Sequence, residues 1–471
     1  MTVIRTDLCV IGAGSGGLSV AAGAVQMGAR VVLVEGHRMG GDCLNFGCVP
    51  SKALLAAGKA AAAHRRGFAG VAGDEPVVDF AASRDHVASV IAAIAPHDSQ
   101  DRFEGLGVTV IRDWARFVSP RELEAGGQRI RARRFVIATG SSPLLPPIPG
   151  LDAVPCLTNE TIFDLREAPG HLLIVGAGPI GLEMAQAHRR LGSKVTVIEG
   201  ARALGRDDPE AVQLVLARLR GEGVEVIEGA QVERIGGRRG AIEVQVAGGT
   251  VFMGTHLLMA AGRRPNLDRL NLEAAGVRSD KAGIVVNAGL RTSNRRVYAI
   301  GDVAGQGQFT HLAGYQAGLV IRPLLFGLPA RARADHIPRV TYTDPELAQI
   351  GPTEAEARAA HGAAVSVIRL GFDASDRAQA EGRTEGLIKV MVVKGRPVGV
   401  TVAGPGAGEM IGIWALAIAN RLKMASIAGM VLPYPTMGEL SKRAAGAYFS
   451  PKLFDNPLVK RVVGLVQRFV P

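Results

Sequence analysis

Cysteine is scarce in this chain: four residues in 471, at positions 9, 43, 48 and 156. A secreted fold stapled by disulfides needs a far denser framework, so the sparse count points to a reducing cytoplasm. Aromatic residues make up only 4%, too few for a surface that stacks nucleic-acid bases. Long apolar runs are missing as well. The longest stretch worth testing, Met410 to Ala419, falls short of the ~20 residues that a membrane helix needs. Nor is there a block of about five or more like charges, so the net charge of +11 reads as a generally basic surface rather than a nucleic-acid arm. No secretory signature is expected, because Met1-Thr2-Val3-Ile4-Arg5-Thr6-Asp7 runs straight into a strand-like segment.

Glycine, by contrast, is abundant. Its 61 residues are about 13% of the chain, nearly twice the usual ~7%. They cluster as G-x-G without a three-residue period, which excludes collagen and suggests phosphate-cradling turns. With 47% hydrophobic and 21% charged residues a sizeable core can form, and global disorder is excluded. At ~150 residues per domain, the length predicts about three domains.

The glycines explain the class. Asp7-Leu8-Cys9-Val10-Ile11 leads into Gly12-Ala13-Gly14-Ser15-Gly16-Gly17, then a helix to about Gly28 and a strand, Arg30 to Val34, that ends at Glu35. In such a strand–turn–helix–strand unit Gly12 permits the tight turn, Gly14 lets the backbone approach a pyrophosphate, and Gly17 allows close helix–strand packing. Glu35 stands where a ribose would be held. The plan recurs: His171-Leu172-Leu173-Ile174-Val175 precedes Gly176-Ala177-Gly178-Pro179-Ile180-Gly181, a helix to about Leu191, and a strand ending at Glu199. Gly12 to Gly176 and Glu35 to Glu199 are both steps of 164 positions. One such glycine motif is weak; two in matching context predict an α/β protein with two Rossmann-like dinucleotide sites, FAD in one and a nicotinamide cofactor in the other. Glu199 would repel a 2′-phosphate and favours NAD(H) over NADP(H), although Arg202 and Arg206 follow closely and can compensate.

Further strands close on glycine. Phe135 to Ala138 stops at Thr139-Gly140, and Val297 to Ile300 stops at Gly301-Asp302, where Asp302 suits either a flavin ribityl hydroxyl or a structural turn. Leu257 to Arg263 reads as a strand that closes through Gly262 at the second nucleotide site. From about Arg339 the texture changes. Strands at 386–393 and 398–402, then an apolar helix from Glu409 to Leu422, predict an α+β domain for assembly. Beyond Pro451, Leu458, Val459, Val462, Val463, Val466 and Phe469 alternate with Lys460, Arg461 and Arg468 as an amphipathic helix. Packing on its own subunit or the dimer is the plainer expectation for it, and a basic peripheral membrane contact the sharper one.

Two of the four cysteines lie together in Gly40-Gly41-Asp42-Cys43-Leu44-Asn45-Phe46-Gly47-Cys48-Val49-Pro50-Ser51-Lys52. Their spacing is short enough for a disulfide across one helical turn, and Pro50 and Ser51 are helix-start residues. A helix N-terminus stabilises a thiolate, the reactive species. A metal site and inert thiols are the alternatives. Zinc asks for four ligands, and no partner C-x-x-C or H-x3-H is present, so redox activity is preferred and no metal is assigned.

This segment resembles the active-site signature of class I pyridine nucleotide–disulfide oxidoreductases, the family of dihydrolipoamide dehydrogenase, glutathione reductase and mercuric reductase. The likeness covers nearly the whole chain. It implies a glutathione reductase-like fold: an FAD-binding domain over 1–150 and 276–338, an inserted NAD(P)H-binding domain over 151–275, a C-terminal α+β dimerisation domain over 339–450, and a basic tail over 451–471. It implies a homodimer in which NADH reduces the flavin, the flavin opens a Cys43–Cys48 disulfide, and Cys43 passes electrons onward. Cys48 corresponds to the thiolate beside the flavin and Cys43 to the interchange thiol. Lys52 and Glu183 match the pair held beside the flavin.

One position departs from the pattern. Disulfide-reducing relatives carry His-Pro-Thr-x-x-Glu, contributed by the other subunit, whereas here Tyr434-Pro435-Thr436-Met437-Gly438-Glu439 stands in its place. Tyrosine, with an ordinary pKa near ~10, donates protons at neutral pH and accepts them poorly, while imidazole near ~6.5 does both. The mercuric reductase branch resembles this chain here and at Phe309-Thr310-His311, Tyr315-Gln316-Ala317 and Asp376-Arg377-Ala378, but its C-terminal vicinal cysteines have no counterpart before Val470-Pro471. The preferred expectation is a small disulfide or persulfide acceptor whose leaving group is already acidic. The alternatives are a metal-ion reductase, a subunit of a 2-oxoacid dehydrogenase complex, and a diaphorase.

Overall fold

Short β-branched runs flanked by glycine form buried parallel strands. In the computed structural model, which describes residues 3–470, Val3–Ile11 and Val31–Val34 pair in parallel and bury Leu8 to Ile11 and all four residues of the second strand. Thr109–Ile111 flanks Val31–Val34, and Gln128–Ile137 lies on the other side of the first strand. Arg116–Ser119 and Glu122–Ala125 continue the sheet as an antiparallel meander, while Val297–Ala299 pairs in parallel with the end of Gln128–Ile137.

The arrangement is repeated. A second sheet runs Val224–Ile227, Lys194–Ile198, His171–Val175, His256–Met259, every pairing parallel. An antiparallel meander, Val232–Arg238, Ala241–Val246 and Val251–Gly254, follows as a separate three-stranded sheet. Helices Ser15–Gln26 and Pro179–Arg190 follow the first strand of each sheet and are both 12 residues long. The strand expected from Leu257 to Arg263 is broken in two. Gly262 takes φ 119, and the chain resumes as Arg263–Pro265, paired with Ser141–Pro143. Extended pairing cannot pass through that left-handed residue.

These elements belong to a compact unit that runs to Ala201 and resumes over Val224–Arg333. A second unit joins Arg202–Gly223 to the chain from Ala334 onward. Its antiparallel sheet has the order Arg339–Thr341, Glu346–Ile350, Arg396–Gly404, Leu387–Val393, Val365–Gly371. Helices Ala407–Ala419 and Glu439–Ala447 contribute to the same core, where the buried Trp414 donates its indole N–H to Ser441 at 3.1 Å.

An ionic cluster sits inside this second unit. Lys389, on the otherwise apolar strand Leu387–Val393, has a side chain only 7% exposed, and its Nζ lies 3.0 Å from Asp208, 2.9 Å from Glu210 and 3.3 Å from Glu354. Asp208 also caps the helix Pro209–Gly221 by accepting from the backbone N–H of Glu210 and Ala211. One carboxylate thus fixes a helix start and an ion pair together.

The amphipathic tail forms the helix Pro457–Phe469 and buries none of its residues within this chain. Among the described residues no helix is long and apolar enough to cross a membrane.

Candidate active site

Both glycine turns are built alike. Gly12 and Gly176 adopt φ 104 and φ 109, and a Cβ at either would meet a carbonyl oxygen, of Ala138 or Ala260, at 2.4 Å. A Cβ on Gly17 would fall 1.8 Å from the Gly12 oxygen, and one on Gly181 2.0 Å from the Gly176 oxygen. These four glycines are spent on close backbone packing. Gly14 and Gly178 differ: a Cβ at Gly14 would meet nothing nearer than 3.9 Å, and one at Gly178 nothing within 4 Å. The two helices that follow have no side-chain cap and no acid in their first turn, so their amide N–H groups remain for an anion. Open space beside uncapped amides fits a dinucleotide pyrophosphate at each turn.

The acids repeat with the glycines. Glu35 accepts from the backbone N–H of Ala13 and His37, each at 2.6 Å. Glu199 accepts from Ala177 at 2.8 Å and Ala201 at 2.9 Å. Donors and acceptors alike are displaced by the same 164 positions.

Cys43 lies on the short helix Gly41–Asn45, and Cys48 opens the long helix Cys48–Arg66. The pair therefore bridges a junction between two helices rather than one helical turn. The helix begins two residues before Pro50, which is buried with Ser51 in the first turn. Both thiols are free, and Cys48 is the more exposed. Its sulfur is 3.3 Å from the Thr310 hydroxyl. A hydrogen bond from Cys43 draws the Cys48 thiol down to about 6, aided by Thr310 and by the charge of Lys52 against the opposing effects of burial and Asp42. The same bond and burial push the Cys43 thiol well up. In the reduced pair one proton stays on Cys43 and Cys48 is the thiolate, with the helix N-terminus adding to its stability.

Residues far apart in sequence surround this pair. Lys52 Nζ donates to Glu183 at 2.8 Å, and the Glu183 side chain is only 5% exposed. Asp42 accepts from Asn159 at 2.9 Å and pairs with Arg263 at 2.9 Å. Arg263 donates also to the Ser141 hydroxyl and carbonyl, and Ser141 donates to Asp302 at 2.6 Å. Burial pushes the Asp302 carboxyl up, with the hydrogen bond from Ser141 and the charge of Arg263 opposing it. Thr139 and Gly140 lie across from Asn266, which donates to Thr139 through its side chain and to Gly140 through its backbone. Gly262 accepts from the Leu144 N–H. Ser141, Asn159 and Arg263 gave no signal in the sequence as site residues, and Thr310 stood out only within Phe309-Thr310-His311.

Tyr434 and Glu439 belong to the second unit. Tyr434 is 68% exposed and donates to Asp376 at 2.8 Å. That bond raises the Tyr434 pKa, while Arg443, 3.1 Å from Asp376 and 3.8 Å from Glu439, opposes the rise. The phenol is thereby held as a proton donor. Among the described residues, no group of three or more His, Cys, Asp or Glu side chains could hold a metal ion.

Comparison with known proteins agrees with this geometry. The family pattern described as pyridine nucleotide-disulphide oxidoreductase matches residues 6–317, and its dimerisation domain matches 337–445. The mercuric reductase of Acidithiobacillus ferrooxidans is 37% identical over 454 residues, 94% of this chain and 82% of the relative. The dihydrolipoyl dehydrogenase of Thermus scotoductus is 37% identical over 461 residues, 94% of this chain and 97% of the relative. Among solved structures, the Cu(II) complex of the HOCl-induced flavoprotein disulfide reductase RclA from Escherichia coli aligns with TM-score 0.85 at 28% identity, over 94% of this chain and 99% of that one.

Proposed function

This chain belongs to the FAD-dependent pyridine nucleotide-disulphide oxidoreductases, and on that premise we propose that it passes electrons through Cys43 and Cys48 to a small disulfide or persulfide. The observation that carries this reading is the polarised pair itself, a Cys48 thiolate beside a protonated Cys43. A bound flavin supplies the two-electron relay between the nicotinamide and the sulfur pair. Everything else is the work of side chains.

The proton shared across the Cys43–Cys48 hydrogen bond passes to Cys48 as the Cys43 sulfur attacks the acceptor disulfide. The first departing thiolate then takes that proton and leaves Cys48 as the thiolate again. Cys48 then attacks the Cys43 sulfur, which closes the Cys43–Cys48 bond and releases the second thiolate. That thiolate takes a proton from Tyr434 or water. One disulfide is reduced to two thiols while one dithiol is oxidised, so electrons balance. Lys52, fixed by Glu183, supports the negative sulfur, and Thr310 holds it by hydrogen bonding.

The donors at Gly14 and Gly178 would hold the two pyrophosphates, and Glu35 and Glu199 the riboses, with NADH preferred to NADPH because the Glu199 carboxylate repels a 2′-phosphate. Gly12, Gly17, Gly176 and Gly181 shape those turns; Thr139, Gly140, Gly262 and Asp302 complete the cofactor contacts. The FAD-binding domain spans 1–150 and 276–338, the nicotinamide domain 151–275, the dimerisation domain 339–450 and the tail 451–471. A cytoplasmic homodimer brings Tyr434 and Glu439 to the partner's sulfur pair.

Tyrosine at 434 selects the acceptor. A dithiol oxidation such as that of dihydrolipoamide needs a base, which Tyr434 cannot be. A disulfide with acidic leaving thiols does not. Turnover is therefore expected to rise as the leaving-thiol pKa falls across a series of aromatic and alkyl disulfides. Tyr434→His is expected to raise lipoamide turnover by about tenfold or more, within the ~10²–10⁴-fold range of one general base. A flat dependence on leaving group, together with no gain in the histidine variant, counts against the reading. A second reading, reduction of a soft metal ion, is favoured by the same tyrosine and by mercuric reductases among the relatives. Such a cation binds the Cys48 thiolate and itself displaces the Cys43 proton, so no base is needed to assist.

A further inference from the structure

The helix Pro457–Phe469 is locally well specified, and among the described residues its apolar side is exposed. Pro457 occupies its first turn and Asn456 caps it by accepting from Leu458 at 3.0 Å. At 3.6 residues per turn, Leu458, Val462, Leu465, Val466 and Phe469 fall on one side. Lys460 and Gln467 fall on the other, with Arg461 and Arg468 along one flank. The five apolar side chains are 43–72% exposed, an unbroken apolar stripe of the kind that marks an interaction surface. Leu453 and Phe454, on the preceding short helix Ser450–Phe454, are exposed as well, beside Lys452.

Charge chooses the occupant. From Asn456 to Val470 there are three cations and no acid. The same helix of a second copy brings the same three cations and no acid and is a poor electrostatic match for this one. An anionic lipid surface is a good one. The helix is about 20 Å long at ~1.5 Å per residue, too short to cross a hydrocarbon core of ~30 Å but suited to lying in the interface with its apolar side down.

We propose that the C-terminal helix is a membrane-surface anchor that docks this reductase on anionic bilayers. It holds the enzyme at the lipid surface without altering the sulfur pair.

The test is sedimentation of the full-length, FAD-loaded protein with phosphatidylcholine vesicles, with and without about 30% phosphatidylglycerol as the anionic component. Binding is expected only with the anionic lipid, and it should weaken at high salt. Two variants, Leu465→Glu with Phe469→Glu and Lys460→Glu with Arg461→Glu and Arg468→Glu, are each expected to lose about tenfold or more in vesicle affinity. NADH-driven flavin reduction should stay unchanged in both, which shows that they are folded. The proposal is overturned if the wild type stays in the supernatant, or if either variant binds as well as the wild type. It is overturned equally if gel filtration shows the Leu465/Phe469 variant falling from dimer to monomer, since a second copy would then be the partner.

Discussion

Cys48→Ser is expected to lower disulfide-acceptor turnover by about a thousandfold or more, while NADH still reduces the flavin. A serine hydroxyl can neither form the sulfur–sulfur bond nor sit as an anion near neutral pH. Cys43→Ala should have the same effect on turnover for a different reason, and the two variants can be told apart. In the native pair the hydrogen bond from Cys43 is the main influence that draws Cys48 down to about 6. Alanine at 43 removes that donor, so the Cys48 pKa should move up toward the ordinary thiol range and the thiolate fraction at pH 7 should fall. Following iodoacetamide alkylation of Cys48 against pH in Cys43→Ala checks the sign. An apparent pKa that stays near 6 means that Lys52, Thr310 and the helix N-terminus suffice, and that the polarised pair is not the source of the thiolate.

The second large effect concerns stability rather than chemistry. Lys389→Met keeps the length of the side chain but leaves Asp208, Glu210 and Glu354 around an uncharged group. Removing one partner of a buried ion pair costs about 3–5 kcal/mol because the remaining charges stay desolvated. Asp208 is only 2% exposed, so water cannot replace the lost ammonium there. The pH dependence has a definite sign. At Glu210, hydrogen bonds from Lys389 and Arg369 outweigh burial and hold the carboxyl below its ordinary 4.5. At Glu354, Arg358 and then Lys389 do the same. Groups lowered in the folded state stabilise it above about 4.5 and lose that contribution as pH falls through their folded values. The gap between wild type and Lys389→Met should accordingly be widest near neutral pH and shrink below about 4.5. Urea unfolding followed by Trp414 fluorescence reads it, since Trp414 is fully buried in this unit. A gap under about 1 kcal/mol, or one that does not change with pH, would show that the cluster adds little.

How much of this was legible in the sequence follows from the range of the interactions. The two nucleotide units were legible because each is set by contacts within about thirty-five residues: a glycine turn, a helix start and an acid at a fixed distance. Their recurrence 164 positions apart made chance agreement untenable. The cysteine pair was equally local, although the helix starts at Cys48 rather than at Pro50, a difference that puts the thiol itself at the helix end. The Asp42–Arg263–Ser141–Asp302 chain was not legible. Its members are ordinary polar residues whose meeting depends on the strand pairing of Ser141–Pro143 with Arg263–Pro265, and no spacing rule links them. Lys389 left a faint trace, one cation in a strand otherwise apolar, but its three partners are scattered from 208 to 354.

The central claim is that electrons leave through the sulfur pair, and a thiol map tests it most directly. Burial raises the Cys156 thiol to about 11 and the Cys9 thiol further still, so at neutral pH neither should alkylate. The air-oxidised protein should therefore take no iodoacetamide at any of its four cysteines. One equivalent of NADH under anaerobic conditions should expose the Cys48 thiolate to labelling, and disulfide acceptor added before the iodoacetamide should protect it again. If the acceptor is reduced while labelling at positions 43 and 48 never changes, electrons take another route and the account is wrong.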